Sequence, residues 1–167
     1  AAILATKGKV TGSHSGRDQQ SYQTGLMSPN GELLAIITEF RNGSTGNDRG
    51  VDIRKSGSEG NMDLVSSIPI SDSHNVMDIV WVNNNELLIS TDNSAEELIV
   101  ATSSVGGTTF GVKDIINSTV GSNTANAWKL ELCPDGKDRL LAYHDPGSGG
   151  DQYVWIFDSG SDGWAES

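Results

Sequence analysis

The string Gly12-Ser13-His14-Ser15-Gly16 has glycines at the spacing of a nucleophile elbow. At its centre, where a G-x-S-x-G enzyme carries its serine, stands His14, so the string supplies no nucleophile. His14, His74 and His144 lie 60 and 70 residues apart and share no ligand spacing, so they read as polar loop histidines rather than a metal set. Ser90–Glu97 (STDNSAEE) is rich in oxygen donors. It lacks the calcium-loop spacing, with its central glycine and final glutamate, and reads as a solvated hairpin turn. Asp52, Asp78 and Asp151 are candidate carboxylates for sugar hydrolysis, but no motif selects two of them as a pair. The single cysteine, Cys133, excludes an intrachain disulfide. Alternation in LELCPDG points it inward as a small buried apolar residue. These residues imply no catalytic group, no metal and no cofactor.

Charge narrows the partners. The chain has 22 acidic and 11 basic residues among 167, a net charge of −11. Its Lys and Arg residues are scattered and never reach the density that phosphate neutralisation needs, so no nucleic acid is expected. No apolar run approaches the roughly 20 residues of a membrane helix, so no membrane span is expected either. The opening AAILATKGKV is too short and too quickly polar for a secretory signal. The compartment stays open.

The elements that would position any site emerge from an internal repeat. SPNGELLAIIT (Ser28–Thr38) returns as VNNNELLIST (Val82–Thr91) and again as CPDGKDRLLAYH (Cys133–His144). Pro29, Asn83 and Pro134 are thereby equivalent, 54 and 51 residues apart. A second marker, KSGSEGN, TSSVGGT and DSGSDGW, aligns Gly60, Gly107 and Gly163 at steps of 47 and 56. Two markers in one order argue for a true repeat. Within each unit the apolar pattern has period two, and the Asn/Asp/Gly turns accept the positive φ of tight hairpins. Each unit therefore reads as four short antiparallel strands, and nothing carries a sustained helical period.

This is the pattern of β-propeller blades, and it predicts an all-β chain of three four-stranded antiparallel blades. The blades fall at about 22–70, 76–117 and 127–167, within a single segment spanning 1–167. Residues 2–10 are expected to be a displaced fourth strand on the edge of the sheet containing Tyr153–Asp158, since the third unit breaks off at GWAES. Trp81, Trp128 and Trp155 are expected to fill the space between blades. Three blades are too few to close a ring, so the chain is expected to be half or part of one. A second copy or further blades would complete it.

The second unit resembles a WD-repeat blade, with His74 before the first strand, Trp81 within it and Ser90-Thr91-Asp92 after the second. In the third unit Phe157-Asp158 stands in the place of the Trp-Asp pair. The first and third units are similar to the WD-like repeats of the Tol-system and prolyl-oligopeptidase propellers, whose SPDG turn corresponds to Ser28–Gly31 and Cys133–Gly136. The resemblance implies a rigid platform for protein partners, usually without catalysis.

The binding residues expected on such a platform lie in the long loops between the second and third strands of the first and third units, Phe40–Gly50 and His144–Asp151. They are Arg41, Asn42, Asp48, Arg49, His144, Asp145 and Asp151. Two other functions fit the same units. One is a carbohydrate-binding or carbohydrate-cleaving propeller, suggested by Asn-, Asp- and Trp-rich loops. The other is the propeller portion of a larger peptidase.

Overall fold

The structure is a computed structural model that describes residues 10–11, 19–42, 46–57, 61–70, 75–92, 97–117, 128–133, 139–144, 153–160 and 163–166. Among them there is no helix. The first sheet contains β1 (Val10–Thr11), β2 (Gln19–Met27), β3 (Leu33–Asn42), β4 (Gly46–Ser56) and β5 (Met62–Ile70), in the order β1-β5-β4-β3-β2. The second is β6 (Asn75–Asn83), β7 (Glu86–Asp92), β8 (Glu97–Thr102) and β9 (Gly111–Asn117), in chain order. The third is β10 (Trp128–Leu132), β11 (Arg139–His144), β12 (Tyr153–Gly160) and β13 (Gly163–Glu166), also in chain order. Every pairing is antiparallel except β1 with β5, which is parallel.

The turn after β2 shows why the first unit bends where it does. Gly31 takes a φ of +74°, a conformation that side chains other than glycine rarely adopt. The Gly31 amide donates to the Ser28 carbonyl at 2.8 Å, and the Ser28 amide to the Leu33 carbonyl at 2.8 Å. The Leu33 amide donates to Ser28 Oγ at 3.0 Å, which lets the serine be buried at a turn. β4 and β5 approach closely at Gly50: a Cβ there would lie 2.5 Å from the Ile68 carbonyl oxygen.

Alternation along the strands sorts the core into two layers. Leu33, Ala35, Ile37, Val51 and Ile53 of the first sheet share one buried cluster with Leu87, Ile89, Ile99 and Ala101 of the second. Leu88, Leu98 and Val100, on the other face of the second sheet, cluster with Leu130 and Trp164 of the third. The second sheet is thus covered on both faces. That is why ELLIST and ELIVAT read as nearly continuous apolar runs. Each such side chain contributes roughly 1.5–3 kcal/mol when fully buried. Trp81 closes the first layer, its ring edge-on to Phe110 at 5.5 Å between centroids. The first sheet also has a buried second face. Asp52 and Arg54 alternate with Val51 and Ile53, and both are fully buried and joined by an ion pair of 2.9 Å.

Several expectations need correction. Phe40–Gly50 is not mostly loop, because β3 and β4 remain paired out to Asn42 and Gly46. Once Ala35 opposite Ile53 and Ile37 opposite Val51 fix the register, polar residues extend the ladder without apolar support. Glu39 then stands opposite Arg49 in the register of the ladder. The third unit does not lack its fourth strand, since β13 pairs with β12 from Phe157 opposite Glu166 to Gly160 opposite Gly163. Residues 2–9 lie outside the described residues, and Val10 pairs with Met62 of the first sheet. Cys133 follows the end of β10 and is partly exposed rather than buried. Of the three tryptophans expected between blades, Trp81 is buried between sheets, whereas for Trp128 and Trp155 only the strand positions are described.

Candidate functional site

The first strand of the second sheet touches both neighbours: β6 meets β2, β3 and β4 of the first sheet and β10 of the third. A first strand has a free edge, whose backbone groups need partners when they are removed from water. The neighbouring sheets supply them. Trp81 Nε1 on β6 donates to the Leu26 carbonyl on β2 at 2.9 Å. On the other side, the Leu130 amide of β10 donates to Asp78 Oδ2 on β6 at 3.0 Å. Asp78 Oδ1 accepts the Ile79 amide at 3.0 Å, and the exposed Lys129 ammonium lies 3.6 Å from Oδ2. With these donors around it, Asp78 bridges two sheets and is not placed as a free base.

The turn ends of the first two sheets are linked in the same way. The Asn30 amide donates to Asn84 Oδ1 at 2.9 Å. Asn85 Nδ2 donates to Ser103 Oγ at 3.1 Å and to the Ser104 carbonyl at 2.8 Å, fixing the β6–β7 turn to the β8–β9 turn. Outside the turns, Ser66 Oγ on β5 accepts the Phe110 amide at 3.0 Å. Trp164 of the third sheet donates its indole N–H to Glu86 Oε1 at 2.5 Å.

No family model matches the chain, and no curated protein matches it.

The binding residues expected from sequence are distributed over the two outer sheets. Arg41 and Asn42 end β3, and Asp48 and Arg49 lie on the facing part of β4, so these four share one hairpin. Arg49 is half-buried and already has an interaction partner within the chain. His144 ends β11, opposite Tyr153, while Asp145 and Asp151 lie outside the described residues. The second sheet separates the two groups. Of the candidate hydrolytic carboxylates, Asp52 is paired with Arg54 and Asp78 holds Leu130. Asp151 lies outside the described residues, as do His14 and His74. Among the described residues, no three His, Cys, Asp or Glu side chains group as a metal site. Among the described residues no helix is long and apolar enough to cross a membrane.

Sequence reasoning missed the groups that link the sheets: Asn30, Asn84, Asp78 and Glu86. One of these links had a signal. Asn30 and Asn84 are 54 residues apart, the same step that separates Pro29 from Asn83. Equivalent turns of stacked repeats are obliged to meet.

Proposed function

We propose that this chain is a three-blade segment of a β-propeller and serves as a non-enzymatic platform for a protein partner. A second copy or further blades complete the ring. The observation that carries the reading is that β6, at the edge of its own meander, is hydrogen-bonded through side chains to the edge strand β2 on one side and to the edge strand β10 on the other. Blades arranged around an axis place their first strands in this way. The covering of the second sheet on both faces adds support, because a blade inside a ring is enclosed by its neighbours. The partner surface is assigned to the end that carries Arg41, Asn42 and Asp48 on one outer blade and His144 on the other.

The test is capture from the native source on immobilised chain, comparing the unaltered protein with an Arg41→Ala/Asp48→Ala variant. The melting temperature of the variant is measured alongside, so that a loss of capture is not mistaken for a loss of fold. A stoichiometric partner whose affinity falls about tenfold or more in the variant is the expected result, in keeping with the loss of central contact residues. Equal capture by both proteins removes this surface, and the absence of any partner removes the platform reading.

A further inference from the structure

We propose that the third sheet is a detachable element, held on the second by two carboxylates, so that the junction between them opens while the first two sheets stay together. The inference rests on the chemistry of the two junctions and does not require the propeller reading. The contacts described at the first junction end on uncharged groups: the Leu26 carbonyl under Trp81, the Asn84 amide oxygen under the Asn30 N–H, and the Ser66 hydroxyl at Phe110. Those described at the second end on charge. Asp78 accepts the Leu130 amide of β10 and faces Lys129, and Glu86 accepts the indole of Trp164 on β13.

The two carboxylates hold the third sheet at well-separated places. Asp78 lies on β6 and grips the first strand of that sheet, whereas Glu86 begins β7 and grips its last. A hydrogen bond to a carboxylate is about twice as strong as one between neutral groups, and the added strength lasts only as long as the charge. Lys129 is largely exposed, with 70 % of its side chain accessible, so its attraction to Asp78 is also open to screening by salt. Opening this junction uncovers Leu88, Leu98 and Val100, an apolar face of the second sheet that is otherwise hidden. The first junction loses nothing in the process, because Leu87, Ile89, Ile99 and Ala101 point the other way. Charge at two positions therefore controls access to a buried apolar surface.

Amide hydrogen exchange under native conditions tests this with an Asp78→Asn/Glu86→Gln double variant, which keeps the shape of both side chains and removes their charge. Exchange across 139–144 and 153–160 should speed up about tenfold or more, the loss expected when charge-assisted bonds become neutral ones. Residues 33–38 and 51–54 should keep their unaltered rates. The unaltered protein moved from low salt to 1 M salt should show the same selectivity with a smaller change. Acceleration spread evenly over all three sheets, no acceleration at all, or failure of the double variant to fold would each overturn the proposal, since each means that the third sheet does not separate by itself.

Discussion

Replacing Trp81 by Ala should cost the protein about 3–5 kcal/mol of unfolding free energy, the range for removing a large aromatic side chain from a core. Trp81 is 4 % exposed and belongs to the cluster that joins the first two sheets. Its ring packs edge-on against Phe110, an arrangement that adds about 0.5–1.5 kcal/mol beyond burial. Its indole N–H also satisfies the Leu26 carbonyl across the junction. Trp81→Phe separates these contributions, because it retains most of the packing and loses the donor. Its expected cost is about 1–2 kcal/mol, one hydrogen bond plus imperfect filling. Urea unfolding followed by circular dichroism measures both variants. A cost under about 1 kcal/mol for Trp81→Ala would mean that the two sheets are not joined through this residue.

Arg54→Ala is expected to destabilise the protein by a similar amount, about 3–5 kcal/mol, for a different reason. Arg54 and Asp52 are both fully buried, with Arg54 Nη2 2.9 Å from Asp52 Oδ2 and Nη1 3.2 Å from the Met62 carbonyl. Truncating the arginine leaves the carboxylate buried without this cation and takes a donor from the β5 backbone. The pair as a whole contributes far less, because desolvating two charges offsets most of their attraction. Asp52→Leu combined with Arg54→Met should therefore lie within about 1–2 kcal/mol of the unaltered protein. Thermal or urea unfolding of the three proteins reads this directly. If the double variant is as unstable as Arg54→Ala, the pair itself supports the fold and the argument from desolvation fails.

The contrast between these two sites explains what could be read from the sequence. The strands were legible because LLAIIT, ELLIST and RLLAYH are short apolar runs bounded by turns rich in Asn, Asp and Gly, and local chemistry alone enforces that pattern. Trp81 could be placed between sheets because a large apolar residue has few other destinations. Asp52-Ile53-Arg54 gave no comparable signal. Charged residues alternating with apolar ones ordinarily mark a solvated face, and only the fold determines that this face is covered. Phe40–Gly50 was read as a loop from its polarity, yet a hairpin ladder is held by backbone bonds and needs no apolar residues at its tip. The links through Asp78 and Glu86 depend on one sheet lying over another, at separations of 52 and 78 residues in the chain. Periodicity carries no information at that range.

The central claim is that the three sheets are successive blades that converge at their first strands. Pulsed electron resonance between paired spin labels tests it most directly, with Cys133→Ser removing the native thiol. One pair sits at Met27 on β2 and Glu131 on β10, the other at Asp63 on β5 and Ala165 on β13. Sheets stacked flat at the usual spacing of about 10 Å would place both pairs about 20 Å apart. Converging blades predict a first-strand distance below that value and a fourth-strand distance well above it. Two equal distances, or a longer one between the first strands, would contradict the account.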